Sequence, residues 1–188
     1  METKSFKVVV LGSGGVGKTC VILRLTRSSF DPEYIPTIQD YFNKDMTIDG
    51  VDYTLKIIDT AGQDEMQGIT DVAIKDADAV MIMYSITSQI SFDEAGQFRE
   101  KVLSIFPNKK INMVLVGNKC DLEPERSVSF SKGQELAQHW CCPFFETSAK
   151  KEINIYQSFE SLLKMLISET KVDDDNQNAK EGKCCIIS

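Results

Sequence analysis

Lys18 and Thr19 close the run Gly12-Ser13-Gly14-Gly15-Val16-Gly17-Lys18-Thr19, which has the spacing G-x-x-x-x-G-K-[ST]. This spacing sets a pliable backbone, a long cation and a hydroxyl on one turn, and the chemistry it suits is the holding of a polyphosphate. The glycines let the backbone N–H groups of Gly14, Gly15, Val16 and Gly17 turn inward onto phosphate oxygens. Lys18 can reach the outer phosphates, and the Thr19 hydroxyl can reach a Mg²⁺ ion. Cys20 opens a helix-like run to Leu25, whose positive end points at the same anion. A glycine-rich turn that merely joins strand to helix is the alternative reading of this stretch alone.

Two later stretches extend that chemistry. Asp59-Thr60-Ala61-Gly62 follows an apolar run, and a carboxylate there can serve Mg²⁺. The Gly62 amide can approach a terminal phosphate because no side chain intervenes. Asn118-Lys119-Cys120-Asp121 follows another apolar run. Guanine offers an N1–H and an N2 amino group along one edge, and one carboxylate at Asp121 can accept both. Adenine offers an acceptor at N1 and no amino group at C2, a mismatch worth roughly 10⁴–10⁵ in discrimination. Asn118 can bond the base and brace the loop, and the Lys119 stem can cover it. Ser148-Ala149-Lys150 follows the next strand, where the Ala149 amide can meet the guanine carbonyl. An ordinary polar loop after a strand is the alternative for Asn118–Asp121.

Elements with the right spacing surround these residues. Apolar runs at Phe6–Leu11, Ala79–Ile86 and Asn112–Gly117 suit buried strands, and Pro143–Glu146 suits a short one. Tyr41–Ile48 and Val51–Ile58 flank Asp49-Gly50, a tight-hairpin signal. Helices are predicted over about Ser91–Phe106, Ser131–Trp140 and Ile153–Leu166, the first two with capping-box spacing at Ser91/Glu94 and Ser131/Gln134. The last carries the stripe Ile155, Phe159, Leu162, Leu163 and Leu166. Ser28–Ile38 has no clear period, and Thr60–Lys75 is weakly patterned and expected to be mobile. Alternating strands and helices with one hairpin predict an α/β, doubly wound, mostly parallel sheet with one antiparallel strand. In such a sheet ligands bind at the carboxyl ends of the strands, where every motif above falls.

Composition narrows the classes. A chain of 188 residues suits one domain, and a net charge of −7 disfavours nucleic acid as a partner. No apolar stretch has the length of a membrane span, and the opening Met1-Glu2-Thr3-Lys4 shows neither a signal peptide nor a myristoylation glycine. The cysteines lack zinc or disulfide spacing. Cys20, Cys141 and Cys142 are expected to be buried or half-buried reduced thiols. His139 is the one histidine, is read as structural, and leaves none for base or metal chemistry. Lys171–Lys183 is predicted to be a disordered linker with a reach of roughly 20 Å, separating a domain over 1–170 from the tail.

Four ordered motifs, Gly12–Thr19, Asp59–Gly62, Asn118–Asp121 and Thr147–Lys150, give the chain its resemblance to Ras-superfamily small GTPases over about Ser5–Thr170 and the tail. The resemblance implies a six-stranded sheet with five helices, GTP and GDP as ligands, and Mg²⁺ as cofactor. It identifies Tyr34–Ile38 with switch I, where Thr37 would bond Mg²⁺ through its hydroxyl and sense the γ-phosphate through its amide. Phe30 matches the aromatic that packs on guanine. Gln63 matches the glutamine that orients the attacking water, and Gly14 stands where a larger side chain would obstruct hydrolysis. Gln63, Lys18, Thr37 and Gly62 form the catalytic set, and Thr19, Thr37 and Asp59 the metal set. The implied activity is slow GTP hydrolysis in a monomeric switch. No arginine sits at a matching position, so a GTPase-activating protein is expected to supply one, alongside an exchange factor and effectors.

Cys185-Ile186-Ile187-Ser188 is a C-a-a-X box whose serine favours farnesyl. One prenyl chain anchors weakly. The linker holds three lysines against three aspartates and one glutamate, so Cys184, by S-acylation, is the candidate second signal. The expected location is the cytoplasmic face of a membrane, the plasma membrane first. This tail places the resemblance nearest the Ras-like branch, with Ras, Rap, Rheb and Di-Ras as relatives. Ras and Rap carry an acid where Gln39 stands and a tyrosine where Phe42 stands. Met66, Thr70 and Ala73 replace a tyrosine, an arginine and a tyrosine that Ras uses with its exchange factor. A module that holds GTP with negligible hydrolysis is the competing reading. A phosphate-loop nucleotide kinase is a third, without the second substrate site or lid it needs.

Overall fold

A computed structural model describes residues 4–27, 39–60 and 67–181. Phe30, Thr37, Gly62, Gln63, Cys184 and Cys185 lie outside the described residues. Along the chain come β1 (Lys4–Leu11), α1 (Lys18–Arg27), β2 (Gln39–Ile48), β3 (Val51–Thr60), α2 (Gln67–Lys75), β4 (Ala79–Ser85), α3 (Gln89–Ile105), β5 (Asn112–Asn118), α4 (Phe130–Trp140), β6 (Phe144–Thr147) and α5 (Ile155–Glu181). A 3₁₀ turn, Glu123–Glu125, precedes α4. The strands form one six-stranded sheet in the order β2-β3-β1-β4-β5-β6. Only the β2–β3 pair is antiparallel. Its turn has positive φ at both Asp49 (51°) and Gly50 (78°), the twist that a two-residue hairpin needs.

Central strands buried on both faces explain the unbroken apolar runs of the sequence. Along β1 and β4, Val8, Val10, Met81 and Met83 point to one face, under Val21, Ile22 and Leu25 of α1 and the stripe of α5. Val9, Leu11, Val80, Ile82 and Tyr84 point to the other, under Ala73 and Ile74 of α2, Ala95 and Val102 of α3, and Ala137 and Trp140 of α4. The period-2 alternation thus feeds two cores from the same strands. Burial of a large apolar side chain contributes about 1.5–3 kcal/mol. Exposed pairs such as Lys7–Asp76 are screened by solvent, so the two cores set how helices sit on the sheet.

Several expectations need correction at element ends. The side chain that caps α3 is Ser88, which accepts from the Ser91 N–H; Ser91 lies inside the helix and donates to the Ser88 carbonyl. Ser129, not Ser131, caps α4, accepting from the Lys132 N–H. In both places serines two or three residues apart compete for one role. The weakly patterned stretch from Thr60 contains α2 from Gln67, with Thr70 and Ala73 turned inward and buried. Cys141 is exposed rather than half-buried, because it forms the left-handed cap of α4 at φ 54°. His139 is likewise exposed, in the last turn of that helix. The helix α5 runs to Glu181, so the segment from Lys171 is helical where a linker was expected. The segment from Lys171 to Glu181 holds no proline or glycine, and a helix satisfies its own backbone.

Candidate functional site

The parallel register brings the carboxyl ends of five strands together. Val10 pairs with Asp59, Leu11 with Ile82, Ser85 with Asn118, and Asn118 with Thr147. The chain between β1 and α1 turns over this edge. Gly12, Gly15 and Gly17 take φ of 147°, 74° and 97°, conformations open to glycine. Space imposes the same choice at two of them: a Cβ on Gly12 would stand 2.2 Å from the Met83 carbonyl oxygen, and one on Gly17 2.5 Å from Asn118 Nδ2.

Lys18 begins α1 and is 6% exposed. Its Nζ donates to the carbonyls of Gly12 (2.7 Å) and Ser13 (3.1 Å), so the side chain folds back over its own loop. Burial lowers its pKa to about 8, with the Asp59 carboxylate opposing. At neutral pH it is therefore a buried cation among neutral carbonyls, an arrangement that an anion on the loop would favour. Beside it, Thr19 Oγ1 donates to Asp59 Oδ2 at 2.5 Å, and Asp59 is fully buried. A hydroxyl and a carboxylate from separate elements at that spacing offer oxygen ligands to a hard cation such as Mg²⁺. No group of three or more His, Cys, Asp or Glu gathers for a metal among the described residues.

A second cluster adjoins the first. Asn118, 2% exposed, donates through Nδ2 to the Val16 carbonyl (2.9 Å) and accepts through Oδ1 from the Thr147 hydroxyl (3.0 Å). Lys119, at φ 67°, donates through Nζ to the Gly15 carbonyl at 2.7 Å. These bonds tie the loop after β5 to the loop after β1. Asp121 accepts from the Ser148 hydroxyl at 2.6 Å through Oδ1. The Ala149 carbonyl accepts from Arg24 Nε at 2.8 Å, and Ala149 is buried. Lys18, Thr19 and Asp59 therefore form one cluster, and Asn118, Lys119, Asp121, Ser148 and Ala149 an adjoining one.

Two contacts gave no signal in the sequence. Ser13 Oγ donates to Glu94 Oε2 of α3, tying the first loop to that helix. Arg126 joins Glu123 and Glu146 just behind the second cluster. Ser13–Glu94 and Arg126–Glu146 join partners that no local spacing picks out.

Among known protein families, the model of the Ras family matches residues 7–168. The match spans the loop, the strand-end carboxylate and the second cluster in one frame, and the sheet order and five helices agree with it. The chain belongs to the Ras family, with the nucleotide-binding switch role that membership implies.

Proposed function

We propose that this chain is a guanine-nucleotide-dependent switch that binds GTP and GDP with Mg²⁺ and slowly hydrolyses GTP to GDP and phosphate. The observation that carries this reading is Lys18, a cation buried against the Gly12 and Ser13 carbonyls beside the Thr19–Asp59 pair. A polyphosphate on the loop would give this lysine anionic oxygens to bond in place of the two neutral carbonyls. Thr19, Thr37 and Asp59 would hold Mg²⁺, which when bound offsets phosphate charge. The loop from Gly14 to Cys20 holds the phosphates, and Phe30 covers one face of the base. Asp121 accepts from guanine N1–H and N2, while Asn118, Lys119, Ser148, Ala149 and Lys150 frame the base.

In the hydrolytic step a water oxygen bonds to the γ-phosphorus, the bond to the β–γ bridging oxygen breaks, and the proton ends on phosphate. Gln63 orients that water. The Thr37 and Gly62 amides hold the γ-phosphoryl oxygens, and their release with the phosphate frees both switch segments. Activating, exchange and effector proteins act on those segments. Thr70 and Ala73 are buried, which removes two positions that Ras offers its exchange factor and points to a different regulator.

Competition binding tests the ligand class. GDP should outcompete ADP by roughly 10⁴ or more; equal affinities would sink the guanine reading. Prenylation of Cys185 and acylation of Cys184 would hold the chain on the cytoplasmic face of a membrane, plasma membrane first. No helix among the described residues is long and apolar enough to cross a membrane, so attachment would rest on lipid. Cys185→Ser should move the protein from the membrane to the soluble fraction, and unchanged membrane recovery would contradict lipid anchoring.

A further inference from the structure

Arg126 lies between the second cluster and α4 and uses every N–H of its guanidinium. Nε and Nη2 donate to the two oxygens of Glu123 at 2.8 and 2.7 Å. Nη1 and Nη2 donate to the two oxygens of Glu146 at 2.6 and 2.8 Å, and Nη1 also donates to the Val128 carbonyl at 2.9 Å. Two carboxylate forks and a carbonyl exhaust the five donors of an arginine. The Arg126 and Glu146 side chains are only 17% and 12% exposed, so this pair is partly shielded from solvent. Surface pairs elsewhere on the molecule are more open.

The position of the fork matters more than its strength. Glu146 immediately precedes Thr147, which bonds Asn118, and Ser148, which bonds Asp121. Its carbonyl also accepts from Asn154 Nδ2 at 2.8 Å. Glu123 and Arg126 follow Asp121 in the chain, and the N–H groups of Ser127 and Val128 donate to the carbonyl of Ile86, the residue just past β4. The fork therefore clips the end of β6 to the segment that leaves Asp121. The two carriers of base recognition are held at one spacing from behind.

We infer that Arg126, through Glu146, is a positioning residue for guanine recognition: it sets the distance between Asp121 and the Ser148–Ala149 backbone without touching the nucleotide. This rests on the guanine reading above. A brace of this kind differs from one that only stabilises the fold. It should alter how well the site tells guanine from a base that lacks the N2 amino group, because that group is what the carboxylate of Asp121 must reach.

The test compares release rates of GDP and of inosine diphosphate from the full chain, with thermal melting in parallel. In Arg126→Ala, GDP release should speed by about tenfold, the size of a coupling within one bonded network, and the preference for GDP over inosine diphosphate should shrink. Glu146→Gln keeps the side-chain shape and should show the same change in preference. The double variant should be no worse than the single ones. Arg126→Lys should not restore the preference, because an ammonium cannot make the fork. A lowered melting temperature with an unmoved GDP-to-inosine ratio, or effects that add in the double variant, would overturn the inference. If the wild type holds ADP as well as GDP, the parent reading has failed instead.

Discussion

Lys18→Met is expected to stabilise the nucleotide-free protein while sharply weakening nucleotide binding. Burial lowers the Lys18 pKa from 10.5 to about 8. Between about pH 8 and 10.5 the unfolded chain thus binds the proton that the folded chain has lost. Stability of the nucleotide-free form should therefore rise with pH across that window. Below about pH 8 both states carry the proton, and the penalty for the buried cation remains in full, on the order of 3 kcal/mol. Methionine keeps much of the side-chain volume and has no charge to bury, so the variant should be the more stable one at pH 7 and should lose the rise. Nucleotide affinity should fall by on the order of a hundredfold or more, the loss of one or two charge-assisted bonds to phosphate. Urea denaturation of both nucleotide-free proteins at pH 7 and 9.5, with GDP titration, checks both halves. A variant less stable than wild type at pH 7 would mean that the bonds to the Gly12 and Ser13 carbonyls outweigh the desolvation.

Asp121→Asn should change which base is held rather than abolish binding. A carboxylate has acceptors only and suits the two donors of guanine. A carboxamide has one acceptor and one donor, and xanthine, with N1–H beside a C2 carbonyl, offers the complement. Asn Oδ1 can still accept from the Ser148 hydroxyl that Asp121 engages at 2.6 Å, so the loop should keep its shape. The preference for GDP over xanthosine diphosphate should reverse, with a total change of roughly 10⁴. Competition binding reads this directly. A uniform loss for both nucleotides would show that Asp121 serves only to brace Ser148.

The sheet and both halves of the site are legible in the sequence for one reason: their signals are local. Val8–Leu11 and Ala79–Ile86 announce buried strands by composition alone, and Lys18, Thr19, Asp59, Asn118 and Asp121 each sit at a fixed offset within a short motif. Bonds between the loops follow once the parallel register aligns the strand ends, as with Asn118 and Val16. The failures have physical causes too. Ser88 and Ser91, like Ser129 and Ser131, are equally fit to cap a helix, and only the position of the turn decides between them. The extension of α5 to Glu181 carries no apolar stripe in the sequence to announce it. Ser13–Glu94 and Arg126–Glu146 join residues 81 and 20 positions apart. No periodicity carries information over such spans, so those braces appear only when the chain is folded.

Single-turnover hydrolysis of bound GTP, on purified protein beside Gln63→Leu, bears most directly on the switch itself. The expected result is slow conversion to GDP in the wild type and a further fall in the variant. No detectable hydrolysis in either protein would contradict the account and leave a module that holds GTP without turning it over.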